Sequence, residues 1–336
     1  MSLASPSPWC PRVRRGFGFK SRPPTRKRTS IARFPLSNPL VAIWECSEGC
    51  PVAETIPPPK AWSEWGGDGS PLVFAHANGF PPATYRVFLE ELSSQFQTTA
   101  FAARPLWPGS EPSTIASWRD LAGDYCQAVA HRRTRPVVGV GHSLGGALSI
   151  MAAAEDASLF RSLVLIDPVV FAGFHTLFWG ALKGLGFGHR LPLIRGARRR
   201  RDRFPSLDAV RSAYGGKAVF STWNPKVVED YVQGAFSETG DGEFVLRYSK
   251  AWESRIFELT PASVWPDLRQ LSVPMLVIRG ESSDTFLRGA ARKMRRELPS
   301  ASVIELPDTT HFLPMEIPAT VAATIIEWHQ SISENA

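Results

Sequence analysis

The chain has 336 residues, of which 43% are hydrophobic and 21% charged, a composition typical of one large globular core with room for an inserted subdomain. Its formal net charge of +7 is concentrated in residues 1–44, which carry nine Lys and Arg residues and no acidic residue. Without these nine residues the chain has 29 basic and 31 acidic residues, so its overall charge gives no support to nucleic-acid binding.

Residues 1–40 form a basic, proline-rich segment. They contain seven prolines and little hydrophobic periodicity, so we expect a disordered tail without a packed core. No apolar run of roughly 7–15 residues follows the basic residues, which argues against a secretory signal. An organellar targeting segment, a basic interaction arm and a translation start near Val41 are the alternative interpretations.

The four cysteines are Cys10, Cys46, Cys50 and Cys126. They lack the spacing of a metal site, and reduced thiols in a reducing compartment are the simplest interpretation. We therefore expect a cytoplasmic protein, with organellar targeting by residues 1–40 as the alternative, and we expect neither a metal nor a cofactor.

From Val41 onward the hydrophobic pattern predicts strands that alternate with helices. Short segments near residues 43–45 and 62–65 flank a proline-rich turn. We then predict buried strands at residues 71–75, 98–103, from 137, at 163–167, 274–280 and 302–306, and helices at 84–96, 117–131 and 317–328. Because these apolar strands do not alternate with polar positions, they indicate an α/β fold with a mostly parallel, doubly wound sheet. Ligand sites in such sheets lie at the carboxyl ends of the strands.

The segment Gly141-His142-Ser143-Leu144-Gly145 joins a predicted strand to a predicted helix. A G-x-S-x-G pattern in that position is typical of a nucleophile elbow, in which a sharp turn lifts the Ser hydroxyl clear of the sheet. The two glycines suit a turn that leaves no room for a Cβ. A glycine-rich turn with a buried Ser is the structural alternative.

On this motif and on the order of the polar residues at the strand ends, the chain is similar to the α/β-hydrolase superfamily from about Val41 to the C-terminus. That family has the chain order Ser, acid, His. The resemblance implies that Ser143 is the nucleophile, that His311 is the general base and acid, and that Asp284 orients the imidazole. Asp167 also lies at a strand end and is the alternative acid, because some family members take it from that position. The backbone N–H groups of Asn78 and Leu144 would form the oxyanion hole.

Other polar residues near these strand ends have simpler interpretations. We expect His76 and His142 to be structural, and Asp308 to be a turn residue before His311. Glu281 is a weaker candidate for the acid. No Asp occupies the nucleophile position, which disfavours the carboxylate chemistry of epoxide hydrolases and haloalkane dehalogenases.

Residues 168–272 are too many for a loop in a compact domain. In this superfamily the matching insertion is a helical cap, so we expect hydrolase cores at 41–167 and 273–336, and cap helices at 225–236 and 244–255. The apolar segment 171–188 is interpreted as a lid face, with membrane contact as the less favoured alternative. The basic run Arg198–Arg203 is interpreted as a solvated face, with an anion site for an acyl carrier or a phospholipid head group as the alternative.

We therefore predict a capped serine hydrolase of the esterase/lipase type. It would cleave a carboxylic ester or thioester of a hydrophobic small molecule through an acyl-enzyme on Ser143. A carbon–carbon hydrolase acting on a diketone is an alternative, because the same three residues support it. A small-molecule receptor on the same fold is an alternative from another class. The oligomeric state is left open.

Overall fold

The computed structural model describes residues 58, 61–132, 134–173, 176, 180 and 191–334. The predictions for residues 1–40, for the segment at 43–45 and for most of the apolar segment 171–188 lie outside these residues. Of the four cysteines, Cys126 lies within them and is buried.

Ten strands form two sheets in the described part of the chain. They are β1 (Trp62–Gly66), β2 (Ser70–Ala75), β3 (Phe96–Phe101), β4 (Val137–His142), β5 (Phe160–Ile166), β6 (Arg203–Phe204), β7 (Phe236–Glu238), β8 (Phe244–Leu246), β9 (Met275–Gly280) and β10 (Ala301–Leu306). The larger sheet has seven strands in the order β1-β3-β2-β4-β5-β9-β10. All its neighbouring strands are parallel except β1, which pairs antiparallel with β3. The predicted mostly parallel sheet is confirmed.

The described α-helices connect these strands and continue to the end of the described chain. They are α1 (Arg86–Leu92), α2 (Trp118–Arg132), α3 (Leu144–Glu155), α4 (Pro192–Arg199), α5 (Leu207–Gly215), α6 (Pro225–Gly234), α7 (Lys250–Leu259), α8 (Trp265–Leu268), α9 (Arg288–Glu297), α10 (Leu313–Glu316) and α11 (Pro318–Glu334). None of these helices is both long and apolar enough to cross a bilayer.

Successive residues of the central strands enter two different hydrophobic cores. In β2, Val73 belongs to the core that contains residues of α2, α3 and α9, whereas Phe74 belongs to the core that contains residues of α1 and α11. Side chains of a strand point alternately to opposite faces, so helices on both faces require apolar residues at every position. This arrangement explains the non-alternating apolar runs in the sequence.

The chain between β5 and β9 contains α4 to α8 and the smaller sheet, in the order β6-β8-β7. The prediction of a helix at 225–236 corresponds to α6. The prediction of a helix at 244–255 is wrong at its start, because residues 244–246 form β8 and the helix begins at Lys250. Strand β8 pairs with β7, which precedes it by a short turn, and with β6, which is distant in sequence.

One helix of the core is also shorter than its hydrophobic pattern indicates. The predicted helix at 84–96 is a 3₁₀ turn at Pro82–Tyr85 followed by α1, and Phe96 begins β3. Phe96 is buried at the position where β3 pairs with Ser70 of β2. Tertiary pairing of the strand therefore overrides the local helical periodicity.

Candidate active site

Ser143 lies at the turn between β4 and α3, with a backbone φ of +55°. A non-glycine residue rarely adopts this left-handed region, and such strain is common where a side chain must be presented for function. The Ser143 N–H donates to the carbonyl of Ile166 in β5 at 3.0 Å, which fixes the turn to the neighbouring strand. The side chain therefore stands at the carboxyl edge of the sheet, as the motif predicts.

The glycines of the motif are required by close backbone packing. A Cβ on Gly145 would overlap with the carbonyl group of Ala75 in β2, and a Cβ on Gly141 would overlap with the carbonyl group of Gly145. In both cases the obstacle is main chain, which cannot turn away as a flexible side chain does. The turn of the elbow therefore brings β2, β4 and α3 closer together than any side chain at these positions allows.

His311 lies in the loop after β10, and its Nε2 is 3.0 Å from the Oγ of Ser143. The preceding residue holds this loop in place: Thr310 donates through its N–H and Oγ to the carboxylate of Glu316, at 2.8 and 2.7 Å. The same carboxylate accepts a hydrogen bond from Thr222 in the region between β5 and β9. The structure thus brings the two predicted residues, Ser143 and His311, within hydrogen-bonding distance.

The carboxylate beside His311 belongs to Asp167 and not to Asp284, which corrects the preferred pairing. Oδ1 of Asp167 lies 3.5 Å from Nδ1 of His311, and the Asp167 side chain is fully buried. Asp284 is exposed, although it borders the cavity above Ser143, and its side chain accepts a hydrogen bond from Thr285 at 3.2 Å. Strands β5 and β9 are parallel neighbours, so both carboxylates follow adjacent strand ends.

Asp167 is held on several sides by the chain that follows β9. Oδ1 accepts hydrogen bonds from Ser283 Oγ at 2.7 Å and from the N–H of Phe286 at 3.0 Å, and Oδ2 accepts from the N–H of Gly280 at 3.2 Å. Its own N–H donates to Ile278 at 2.7 Å. These donors fix the orientation of the carboxylate. The sequence contains no local signal for the role of Ser283.

The two N–H groups predicted for the oxyanion hole belong to Asn78 and Leu144. Leu144 is the first residue of α3, so its N–H has no acceptor within the helix. The N–H of Asn78 donates to no acceptor within the described part of the chain. Both residues line the same cavity as Ser143. A negative oxygen formed there would find two N–H donors that the fold leaves unused.

A buried chain of hydrogen bonds connects the loops that carry these groups. The N–H of Ala77 donates to the Tyr85 hydroxyl at 3.1 Å, and the hydroxyl lies 2.8 Å from Nδ1 of His142. Nε2 of His142 lies 2.9 Å from the carbonyl of His311. Since that carbonyl only accepts, Nε2 carries the proton and Nδ1 accepts from Tyr85, so the His142 ring is neutral. His142 thus has the structural role predicted for it, and Tyr85, which no prediction singled out, completes the chain.

His76 is also held as a neutral ring. Its Nδ1 donates to the carbonyl of Ala77 at 2.8 Å, and its Nε2 accepts from the N–H of Ala103 at 3.1 Å. Burial lowers the pKa of His76 to about 4, despite an opposing effect of the Ala77 carbonyl. Burial, together with the neighbouring His311, also lowers the pKa of His142 well below its usual value.

These shifts predict that stability falls on mild acidification. Above pH 6.5 both histidines are neutral in the folded and unfolded chain; below it the unfolded chain takes up protons that the folded protein refuses. We expect the free energy of unfolding, measured by urea denaturation between pH 7 and pH 5, to decrease by at most about 1.4 kcal/mol per pH unit for each histidine. His76→Gln should reduce this slope, because the variant lacks one of the two histidines. An unchanged slope in His76→Gln would contradict the prediction.

A cavity of about 500 Å³ lies above Ser143 and His311. Most of its lining is apolar, and the polar groups come from residues at the carboxyl edge of the sheet and from Thr260. The large apolar side chains in the lining are Phe80, Trp118, Leu144, Val169, Phe171, Leu193, Val219, Phe257 and Phe312. Such a cavity accommodates a small apolar group next to the Ser hydroxyl.

The fold and the arrangement of Ser143, His311 and Asp167 are typical of hydrolases. Comparison with known proteins agrees with this class of protein. The model of the alpha/beta hydrolase family matches residues 72–324. The chain is 26% identical over 252 residues to a 2-(acetamidomethylene)succinate hydrolase of Mesorhizobium japonicum, covering 74% of this chain and 83% of the relative. A crystal structure of E-2-(acetamidomethylene)succinate hydrolase superimposes with a TM-score of 0.68 at 24% identity, covering 80% of this chain and 94% of that one.

A further relative is a type I acyl-CoA thioesterase of Penicillium roqueforti, 28% identical over 179 residues, which are 48% of this chain and 39% of the relative. The family model spans most of the chain, including every strand of the larger sheet except β1 and the first two residues of β2. The chain therefore belongs to the alpha/beta hydrolase family, and its relatives are hydrolases.

Proposed function

We propose that the protein is a serine hydrolase that cleaves a carboxylic ester or thioester through an acyl-enzyme on Ser143. The observation that carries the proposal is the 3.0 Å separation between Ser143 Oγ and His311 Nε2, with the buried Asp167 carboxylate on the far side of the ring. A Ser hydroxyl is a weak nucleophile at neutral pH and needs a base that removes its proton during the attack.

In the proposed reaction Ser143 Oγ attacks the carbonyl carbon while His311 Nε2 takes the hydroxyl proton. The carbonyl oxygen becomes negative and accepts hydrogen bonds from the N–H groups of Asn78 and Leu144. His311 then gives its proton to the departing alcohol or thiol, and the acyl group stays on Ser143. Water, activated by the same imidazole, releases the acid and restores the Ser hydroxyl.

Asp167 acts on His311 in this scheme. Its carboxylate faces Nδ1, so it favours the tautomer that leaves Nε2 free to accept a proton and stabilises the imidazolium that follows. At 3.5 Å the contact is longer than an ordinary hydrogen bond, which is common in catalytic sites without substrate. Asp167 therefore takes the role for which Asp284 was the preferred candidate.

The proposed substrate class follows from the cavity and from the relatives. The apolar lining above Ser143 supports a hydrophobic acyl group. The likeness to an acyl-CoA thioesterase supports a thioester alongside a carboxylic ester. Both bonds have the electrophilic carbonyl carbon that the proposed nucleophile requires.

The proposal is tested with a panel of p-nitrophenyl esters and acyl thioesters of increasing chain length, together with a fluorophosphonate probe. We expect turnover with an optimum set by the cavity, and labelling of the wild type that is lost in Ser143→Ala. The matched control is Ser282→Ala, since Ser282 is an exposed Ser outside the cavity lining, and it should keep labelling and turnover.

Each other outcome contradicts a defined part of the proposal. Labelling at Ser143 without turnover of any ester or thioester would overturn the substrate class and favour carbon–carbon cleavage of a diketone. Neither labelling nor turnover by folded protein would overturn the nucleophile and favour the small-molecule receptor.

A further inference from the structure

A second cavity, of about 620 Å³, lies beside the cavity that contains Ser143. Its lining includes Arg199, Arg200, Arg201 and Lys217 and a single carboxylate, Glu253. We call it the cationic cavity. Four side chains, Phe80, Leu193, Val219 and Phe257, line both cavities, so the two spaces adjoin across an apolar wall.

Part of the apolar wall is open to solvent. Leu193 is 56% exposed and Val219 is 39% exposed, and these are the exposed large hydrophobic side chains among the residues that the structure describes. Exposed apolar side chains beside a charged cavity are typical of a surface that a ligand covers. Their position between the two cavities indicates a ligand that extends from one into the other.

Arg200 is built into this region. Its Nη1 pairs with Oε2 of Glu253 at 2.7 Å, both side chains are nearly buried, and its Nε donates to the Tyr214 hydroxyl at 3.1 Å. The pair packs against the loop of the proposed oxyanion hole: a Cβ on Gly79 would lie 3.2 Å from the Glu253 carboxylate, and Asn78 Nδ2 donates to the Glu253 carbonyl at 3.1 Å. The cationic cavity therefore borders the loop of the proposed oxyanion hole, which contains Asn78 and Gly79.

Glu253 neutralises one of the four cations, and the other three lack an acidic partner within the described chain. By contrast, Arg198 pairs with Glu258 and Arg203 with Glu243 in the same segment. Lys217 lies with Nζ 3.6 Å from the centre of the Tyr214 ring. Partial desolvation, followed by the positive charge of Arg200, lowers the pKa of Lys217. Like charges that crowd one cavity are relieved when an anion binds.

We propose that the cationic cavity binds an anionic group of the substrate, a phosphate or a carboxylate, while the acyl carbon lies at Ser143. The inference rests on the proposed function and adds the charge of the substrate to it. A phosphate would come from the leaving thiol, as in a coenzyme A thioester, whereas a carboxylate would come from the acyl chain. In both cases the apolar wall accommodates the uncharged part that joins the anion to the reacting carbonyl.

The test compares three thioesters with the same six-carbon acyl length. Hexanoyl-coenzyme A has phosphates in its leaving group, adipoyl-N-acetylcysteamine has a carboxylate on its acyl chain, and hexanoyl-N-acetylcysteamine is neutral. We expect wild-type kcat/KM for at least one charged thioester to exceed that for the neutral one by about tenfold or more. The charged thioester that is preferred identifies the source of the anion.

Variants assign the preference to the cavity. Arg199→Gln combined with Lys217→Gln should reduce the ratio of kcat/KM between the preferred charged thioester and the neutral one by about tenfold, mainly through KM. Arg195→Gln is the matched control, because Arg195 is exposed on the same helix α4 and does not line the cavity. It should leave the ratio unchanged. Raising the salt concentration should weaken the wild-type preference.

The outcomes separate this inference from the function on which it rests. Hydrolysis of the neutral thioester with no preference for charge, or an unchanged ratio in the double variant, would overturn the anionic subsite and leave the serine hydrolase in place. No hydrolysis of any ester or thioester would overturn both.

Discussion

Asp167→Asn is expected to lower kcat by roughly 10⁴-fold, the scale found when the acid of a Ser-His-Asp triad loses its charge. The amide offers His311 Nδ1 no anion, so neither the required tautomer nor the imidazolium is stabilised. Burial enlarges the effect, because Asp167 is fully buried and no water replaces its charge. The measurement is kcat for the best ester or thioester, with circular dichroism to verify the fold.

Asp284→Asn is the matched control, since it makes the same chemical change at an exposed carboxylate. We expect kcat to change less than threefold, about the size of a surface charge effect. Asp167→Asn could fail to fold, because the new amide at position 167 would have to face the N–H groups of Gly280 or Phe286. In that case Asp284→Asn still tests the assignment of the acid. A loss of about 10⁴-fold in Asp284→Asn would restore Asp284 as the acid.

Replacement of Ser143, the proposed nucleophile, is expected to have the largest effect on activity. The stability of the protein should depend on which residue replaces it. Ser143→Gly and Ser143→Ala should both lower kcat by roughly 10⁶-fold, because no hydroxyl is left to form the acyl-enzyme. Ser143 has a φ of +55°, a conformation that is strained for a residue with a Cβ but not for glycine. We therefore expect Ser143→Gly to be more stable than Ser143→Ala by about 1 kcal/mol.

The stability difference is measured as the free energy of urea unfolding of the two inactive variants. The same pair of substitutions at Ser212, an exposed position within α5, provides the comparison. There glycine should be less stable than alanine by about 1 kcal/mol, since the helix already favours a negative φ. If glycine were also the less stable residue at position 143, strain would not be stored in the elbow.

The active site is held by groups that are themselves connected to the region between β5 and β9. Glu316 joins the loop of His311 to Thr222, and Glu253 joins the oxyanion loop to Arg200. The hydrogen bonds of Tyr85 and His142 connect the loop that carries Asn78 to the carbonyl of His311. The loops of the proposed active site are thus fixed by both the sheet and the region between β5 and β9, which suits chemistry that needs N–H donors and a base in fixed positions.

Several features of the fold were readable from the sequence because they depend on local chemistry. A parallel sheet buried on both faces demands apolar residues at consecutive positions, which marks β2, β4, β5 and β9. The elbow demands glycines where main chain meets main chain, which marks Gly141 and Gly145. Ser143 and His311 followed from that motif and from the family's chain order, and the structure brings them together.

The sequence was a poor guide where a residue's structure depends on distant partners. Residues 244–246 have a pattern that suits a helix, yet they form β8 because β6 and β7 supply partners on both sides. Phe96 continues the helical periodicity of α1, yet it pairs in β3. In both places the pairing of strands decides between two locally acceptable conformations.

The two candidate acids show most clearly which features follow from local sequence and which depend on distant residues. The sequence predicted a carboxylate at the end of β5 and another beyond β9, and both lie at the same edge of the sheet. Their different positions arise from the tertiary structure: the chain after β9 turns so that Ser283 and Phe286 donate to Asp167, while Asp284 is exposed. The direction of a side chain in a loop depends on hydrogen bonds to distant residues, and no local pattern encodes it. The cationic cavity has the same origin, because Arg200 and Lys217, which follow α4 and α5, line one cavity only in the folded chain.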